Sequence, residues 1–218
     1  MIGLFSGIPK TICQFWDKPD LPDDLGPLVQ SWRDLPRYTH HLFNDETARA
    51  FLAEHYPAAV VDAFDACMIP AMRSDIFRIC AVLKMGGWYA DCSIEALKDP
   101  SGLIHRSDGL VYYRRWHGGV NNGLFAAKPG NAHLAALLET IIDNVKDRVS
   151  DNLFLVTGPG VWNERFPKET PPPPKTRQLD HSEIANIYVR FHQDLAHKKD
   201  GQHWSDQQKA GAIFRDPA

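Results

Sequence analysis

One stretch of the chain places a helix directly before a short strand. Apolar residues recur at helical spacing between positions 72 and 85. Gly86 and Gly87 then end the helix, because glycine accepts the left-handed backbone of a C-terminal cap. The next residues, Trp-Tyr-Ala, are predicted to form a buried strand. The pattern therefore puts Asp91 where a strand ends, which is the edge of an open α/β sheet at which ligands bind.

Two charged residues near the start of the predicted helix share one of its faces. Asp75 and Arg78 are one turn apart. They could serve a ligand together with Asp91, whose carboxylate suits a divalent metal on a diphosphate. The alternatives are an ordinary ion pair between Asp75 and Arg78, worth roughly a few tenths of a kcal/mol, and an Asp91 that only caps a turn.

The order S-D-x-x-R, G-G-x-Y and D-x-S resembles the DXD-containing sugar transferases of the yeast initiating α-1,6-mannosyltransferase and capsular polysaccharide type. It is more distantly similar to the sugar-transferring domains of large clostridial toxins. The matching residues are Ser74, Asp75, Arg78, Gly86, Gly87, Tyr89, Asp91 and Ser93. Ser93 stands where the family has its second aspartate, and a hydroxyl is a poorer ligand than a carboxylate for a hard dication.

Further blocks follow in the order that the family would have them. They are IPKTICQFW at 8–16, NGLFAAKP at 122–129, TGP at 157–159 and a looser His-Trp echo at 203–204. The resemblance covers most of residues 8–166 and weakens beyond the proline run. Because four blocks occur in order, the match is more specific than a lone D-x-S.

The resemblance implies an α/β fold: a single GT-A-like nucleotide-sugar-binding domain with a mixed central sheet flanked by helices. The predicted alternation of strands and helices favours the same class. We expect a core over residues 1–170 and a proline-led segment over 171–218 that completes or covers the site. Within this fold, residues 118–122 are predicted to form a turn and residues 184–191 a last strand.

The implied activity moves a hexose from a nucleotide-diphosphate sugar to a hydroxyl acceptor, with retention of configuration. The resemblance assigns catalysis to Asp91, Asp75 and Arg78, with Asp75 orienting the sugar and Arg78 adding positive charge. It assigns binding of the nucleotide sugar to Trp16, Arg73, Tyr89, Asn122 and Trp204. Mn²⁺ or Mg²⁺ would be held by Asp91, Ser93 and His203.

Several of these assignments have simpler alternatives. Trp16 and Tyr89 could be core residues, Arg73 a helix-start arginine and Asn122 a turn asparagine. Because Ser93 weakens the metal motif, a non-catalytic sugar-nucleotide or glycan-binding module is the second hypothesis. An unrelated nucleotide-binding hydrolase is disfavoured, since the chain has no P-loop, GxSxG or paired-histidine metal motif.

The composition of the chain indicates which classes of binding partner to expect. The formal net charge of −3 gives no basic excess that would favour nucleic acid. The four cysteines lack metal spacing and are expected to be reduced core thiols. The N-terminus is a poor signal peptide, and no window approaches the length of a membrane span. We therefore expect a cytoplasmic protein whose partners are a nucleotide-sugar donor and a glycan, lipid-linked glycan or other hydroxyl acceptor.

Overall fold

A computed structural model describes residues 7–198 and 204–215. The strands are β1 (Thr11–Phe15), β2 (Thr39–Phe43), β3 (Gly87–Ala90), β4 (Ile94–Ala96), β5 (Leu110–Arg114), β6 (Val120–Ala127), β7 (Thr176–Leu179) and β8 (Val189–Phe191). The helices are α1 (Gly26–Arg33), α2 (Asp45–His55), α3 (Ala58–Ala66), α4 (Pro70–Met85), α5 (Ala132–Lys146), α6 (Leu153–Val156), α7 (Pro159–Arg165), α8 (His181–Ile184) and α9 (Trp204–Ala210). Two short 3₁₀ turns lie at Pro100–Leu103 and Ala196–Lys198.

Six strands form one mixed sheet in the order β2-β1-β3-β6-β5-β7. The pairs β1–β2, β1–β3 and β5–β7 are parallel, whereas β6 runs antiparallel to both of its neighbours. The carboxyl ends of β1, β3 and β5 therefore meet the start of β6 at one edge of the sheet. The predicted α/β class with a mixed central sheet is confirmed.

Both faces of the sheet are covered, because successive strand residues point to opposite sides. In β3, Trp88 packs into one apolar cluster with Ile12 and Trp32, and Tyr89 packs into the larger cluster on the other face with Phe77 of α4. These side chains are almost completely buried. The sheet is thus held between two cores, which fix the positions of its strand ends.

The glycine pair after α4 lets the chain turn directly into β3. Gly86 and Gly87 both have positive φ, at 68° and 95°. A Cβ on Gly86 would lie 2.7 Å from the Pro129 ring, and one on Gly87 would overlap the Thr11 carbonyl oxygen of β1. The predicted helix stop is confirmed, and Gly87 also allows the close approach of β1.

Two local predictions were wrong. Asn121 and Asn122 lie in β6 rather than in a turn, because buried hydrogen bonds hold them beside a register shift at Tyr112 and Tyr113. The last predicted strand is shorter, since a capping box between Asp180 and Glu183 starts α8 first.

The segment after residue 170 adds two strands. β7 forms an edge of the main sheet beside β5, and β8 pairs with β4 directly after Ser93. The boundary at 170 stays a prediction.

Within the described residues, no helix is both long and apolar enough to cross a membrane, and the four cysteines are buried and unpaired.

Candidate active site

A cavity of about 610 Å³ opens at the sheet edge where β1 and β3 end and β6 begins. One wall comes from the end of β1 with Trp16, and the floor comes from α4 with Asp75 and Arg78. Asp91 and Ser93 follow β3 into the cavity. The arrangement matches the general position of ligand sites in open α/β sheets.

Arg78 is the centre of the polar cluster at the floor. Its side chain is buried, and Nη2 lies 3.2 Å from Asp75 Oδ1 and 3.3 Å from Asp91 Oδ1. Nη1 donates to the Asn122 carbonyl at 2.8 Å, and Nε to the Ser74 carbonyl at 3.1 Å. Burial acts to lower the pKa of the guanidinium, but Asp91, Tyr89 and Asp75 raise it above the ordinary value. Arg78 is therefore a fixed cation between two carboxylates.

Asp75 is a buried carboxylate with a partner on each oxygen. Oδ1 accepts a hydrogen bond from Asn122 Nδ2 at 2.8 Å, and Oδ2 accepts one from Thr157 Oγ1 at 2.9 Å. Burial raises the pKa of Asp75 to about 6, although Arg78 opposes the shift. Asn122 therefore lines the cavity and orients Asp75 from within β6, rather than from a turn.

The raised pKa of Asp75 gives a testable pH dependence of stability. The folded chain retains a proton that the unfolded chain releases above a pKa of 3.8. This stabilising contribution is therefore complete below pH 3.8 and is lost as the pH rises through about 6. Across that window the free energy of unfolding should fall by roughly 1.4 kcal/mol per pH unit relative to Asp75→Asn. Urea denaturation of both proteins measures the difference, and parallel pH curves would contradict the assignment.

Asp91 is the carboxylate of the cluster that remains accessible, with 38% of its side chain exposed. Its backbone N–H donates to the Gly123 carbonyl at 2.8 Å, and Oδ1 accepts a hydrogen bond from the Tyr89 hydroxyl at 3.0 Å. A Cβ on Gly123 would overlap Asp91 Oδ2, so a larger residue at position 123 would displace this carboxylate. The geometry aims a positioned anion into the cavity.

Tyr89 lies behind Asp91 and does not line the cavity. Its ring is buried under the Arg78 guanidinium at 4.8 Å, and its hydroxyl also contacts Ser74 Oγ at 2.9 Å. The structure therefore favours the core alternative for this residue over direct contact with a ligand. The ring fills the core, and the hydroxyl positions Asp91.

Arg73, which the resemblance placed among the ligand-binding residues, lies outside the cavity wall. Nε and Nη2 hold the Asp45 carboxylate at 2.9 and 2.8 Å. Nη1 donates to the carbonyls of Cys67 and Met68 at 3.0 and 2.8 Å. All three guanidinium nitrogens are therefore engaged in joining α2 and α3 to the start of α4.

Replacing Arg73 with Ala should lower the free energy of unfolding without changing ligand affinity. Asp45 is 37% exposed and can be solvated, so we expect a loss of about 2–3 kcal/mol, at or below the lower end for breaking a buried pair. Urea denaturation and nucleotide titration calorimetry test the two parts. A stable variant that has lost nucleotide affinity would return Arg73 to the binding site.

Trp16 lines the cavity at the end of β1 and is half-buried. Its indole N–H donates to the Asp20 carbonyl at 3.2 Å, and its ring stands edge-on to His197 at 5.2 Å.

Trp204 begins α9, a helix that contributes Gln207 to the cavity wall. The Trp204 side chain and His203 lie outside the described part of the structure.

Sequence reasoning missed several basic residues that line the cavity. Lys18, His197 and Lys198 line the cavity, and Lys198 Nζ donates to the His192 carbonyl at 3.2 Å. Burial lowers the pKa of Lys198, while Asp91 and Asp24 oppose the shift. No spacing in the sequence links Lys198 to Asp91. The pairing of β8 with β4 brings the two segments together.

The side chains present restrict how a divalent cation could bind. Across residues 7–198 and 204–215, no three His, Cys, Asp or Glu side chains form a metal-holding group. Asp91 contacts Tyr89 and Arg78 through Oδ1, and Ser93 lines the same cavity. Mg²⁺ commonly uses one or two carboxylates together with substrate phosphates. The residues therefore fit a cation site that a diphosphate completes.

Comparison with known proteins agrees with this geometry. Residues 22–110 match the family described as "Glycosyltransferase sugar-binding region containing DXD motif". Inositol phosphoceramide mannosyltransferase 2 of Schizosaccharomyces pombe is 30% identical over 179 residues, which cover 77% of this chain and 49% of that protein. The initiation-specific alpha-1,6-mannosyltransferase of the same organism is 26% identical over 195 residues, covering 72% and 47%.

A solved structure supports the fold. The PaToxG glycosyltransferase superposes with a TM-score of 0.59 at 17% identity, covering 76% of this chain and 70% of that one. The chain spans about half the length of the curated relatives that it matches. The motif blocks and the sheet agree with the match of residues 22–110 to the DXD-motif glycosyltransferase family, so the predicted resemblance to that family is confirmed.

Proposed function

We propose that this chain transfers a hexose from a nucleotide-diphosphate sugar to a hydroxyl acceptor, with retention of configuration. The observation that carries the proposal is the half-exposed Asp91 carboxylate, held by Tyr89 and Arg78 at the sheet edge inside the cavity. A structural carboxylate paired with arginine would be expected to lie in the core or on the outer surface. Here it faces a space large enough for a ligand.

The net charge of the polar cluster indicates which residues can stabilise the departing diphosphate. Asp75, Arg78 and Asp91 together carry a net charge of −1 when both carboxylates are ionised. Arg78 is therefore neutralised locally, and its task is to hold the two carboxylates in place. Positive charge for the departing diphosphate is then supplied by cavity groups such as Lys18 and Lys198. This differs from the expectation that Arg78 itself supplies that charge.

The remaining residues bind and orient the donor. Trp16 offers a ring for the nucleotide base at the end of β1. Asp75, fixed by Asn122 and Thr157, orients the hydroxyls of the transferred sugar. A dication held by Asp91 and Ser93, when bound, would act as a Lewis acid on the diphosphate. The charged side chains contribute the same kind of stabilisation from fixed positions.

Titration calorimetry with GDP- and UDP-linked hexoses, each with Mn²⁺ or with EDTA, tests the proposal. We expect one nucleotide to bind and Mn²⁺ to tighten it, because the diphosphate completes the cation site. Lys198→Met should weaken that binding more than Lys198→Arg does. Absence of binding with every donor would overturn the proposed function.

A second candidate is a sugar-nucleotide-binding module without catalysis. It is favoured by Ser93, which leaves Asp91 as the one carboxylate of the D-x-S motif. Release or transfer of the hexose from a bound donor, followed by chromatography, separates the two candidates. Binding without any turnover would favour the module.

A further inference from the structure

The tip of the β5–β6 hairpin carries the most exposed large apolar side chain in the described structure. Trp116 is 81% exposed. The tip is a tight turn in which the Gly118 N–H donates to the Arg115 carbonyl at 2.8 Å and the Arg115 N–H to the Gly119 carbonyl at 2.9 Å. Arg115, His117 and Gly119 line the cavity. Trp116 therefore projects from a turn in which three other residues line the cavity.

The buried side chain of Arg114 holds the turn in place. Arg114 is buried, with Nη1 donating to the Gly118 carbonyl at 2.8 Å, Nη2 to the Phe166 carbonyl at 2.5 Å and Nε to Gln178 Oε1 at 2.7 Å. A buried arginine with three hydrogen bonds fixes the position of the tip. Trp116 takes no part in this anchoring, so its exposed ring is available to a ligand at no cost to the fold.

The sheet separates Trp116 from the proposed base-binding ring. In the strand order, β1 with Trp16 and β5 with the hairpin stand on opposite sides of β3 and β6. Neighbouring strands are about 4.8 Å apart, so three strand intervals put the two regions roughly 14 Å apart along the edge. Asp91, which follows β3, lies between them. A donor seated on Trp16 and Asp91 would thus present its sugar toward the hairpin.

A saccharide ring matches the chemistry of the tip. A pyranose has an apolar C–H face and a rim of hydroxyls, and binding sites for such ligands combine an aromatic surface with a few placed polar groups. Trp116 supplies the aromatic surface. The adjacent Arg115 and His117 supply donors toward the cavity.

We propose that the hairpin tip, residues 115–119, is the acceptor-binding element and that Trp116 stacks on a pyranose ring of a glycan acceptor. The inference rests on the proposed function and names the substrate class for its second substrate. Trp116 is a specificity-determining residue in this assignment, and it does not touch the reacting atoms.

Three variants test the assignment: Trp116→Ala, Trp116→Phe and, as a matched control, Ile187→Ala. Ile187 is 50% exposed and lies outside the cavity wall. Transfer is measured with methyl α-hexopyranosides and oligosaccharides as acceptors, and donor affinity by calorimetry. Trp116→Ala should raise the acceptor KM about tenfold, equivalent to about 1.4 kcal/mol, with donor Kd unchanged. Trp116→Phe should retain most of the acceptor affinity.

Each contrary result has a separate meaning. An unchanged acceptor KM in Trp116→Ala, with normal transfer, would overturn the inference and leave the proposed function intact. A weaker donor Kd in the same variant would place Trp116 in the nucleotide site instead. Failure of the wild-type protein to bind any donor would overturn the proposed function and this inference with it.

Discussion

Replacing Asp91 with Asn is expected to lower kcat/KM for the nucleotide-sugar donor by on the order of 10²–10³-fold, as for other groups that stabilise transition-state charge. Asparagine keeps an acceptor for the Tyr89 hydroxyl but removes the anion that would orient a cation on the diphosphate. Because Asp75 still pairs with Arg78, the fold should survive. Steady-state kinetics with saturating acceptor and a thermal melt measure the two effects.

Asp62→Asn is the matched control for that experiment. Asp62 is an exposed carboxylate on α3, remote from the cavity wall, and its loss should leave kcat/KM unchanged. Wild-type turnover in the Asp91 variant would remove the central assignment. A Ser93→Asp variant that tightens Mn²⁺ binding would in turn support a working enzyme over a binding module.

The second large effect concerns stability. Arg78→Met should reduce the free energy of unfolding by about 3–5 kcal/mol, because it leaves a buried Asp75 and a half-buried Asp91 without their cation. It also removes the side-chain donor to the Asn122 carbonyl. Urea denaturation with an unchanged m value would measure the loss.

A double mutant isolates the electrostatic part of that loss. Arg78→Met combined with Asp75→Asn removes one of the two uncompensated charges, so it should recover part of the stability relative to Arg78→Met alone. The coupling energy from the cycle is expected to be on the order of 1–3 kcal/mol. Strictly additive effects would show that the pairing of these two residues contributes little.

Much of the site was predictable because its central part is local in sequence. The glycine pair at 86–87 fixes the change from α4 to β3, and β3 then delivers Asp91. Helical geometry also separates the two arginines. At about 100° per residue, Asp75 and Arg78 lie roughly 60° apart on α4, while Arg73 lies about 140° from Arg78. A helical wheel could therefore have placed Arg73 on another face, toward Asp45.

The other parts of the site depend on contacts between residues that are far apart in the sequence, and no local pattern predicts such contacts. Lys198 and His197 reach the cavity because β8 pairs with β4, and nothing in either strand's sequence specifies the other. The asparagines of β6 have turn propensity, but their burial and hydrogen bonds override it. The role of Trp116 depends on where the hairpin tip falls relative to β3.

The parallel pairing of β7 with β5 has a consequence for synthesis on the ribosome. Paired residues such as Leu110 and Thr176 are far apart along the chain. The backbone groups of β5 that face β7 therefore stay unpaired until the residues after the proline run have left the exit tunnel. An unpaired strand edge is a template for pairing with other chains. Nascent chains halted before β7 should accordingly be those that depend most on chaperones.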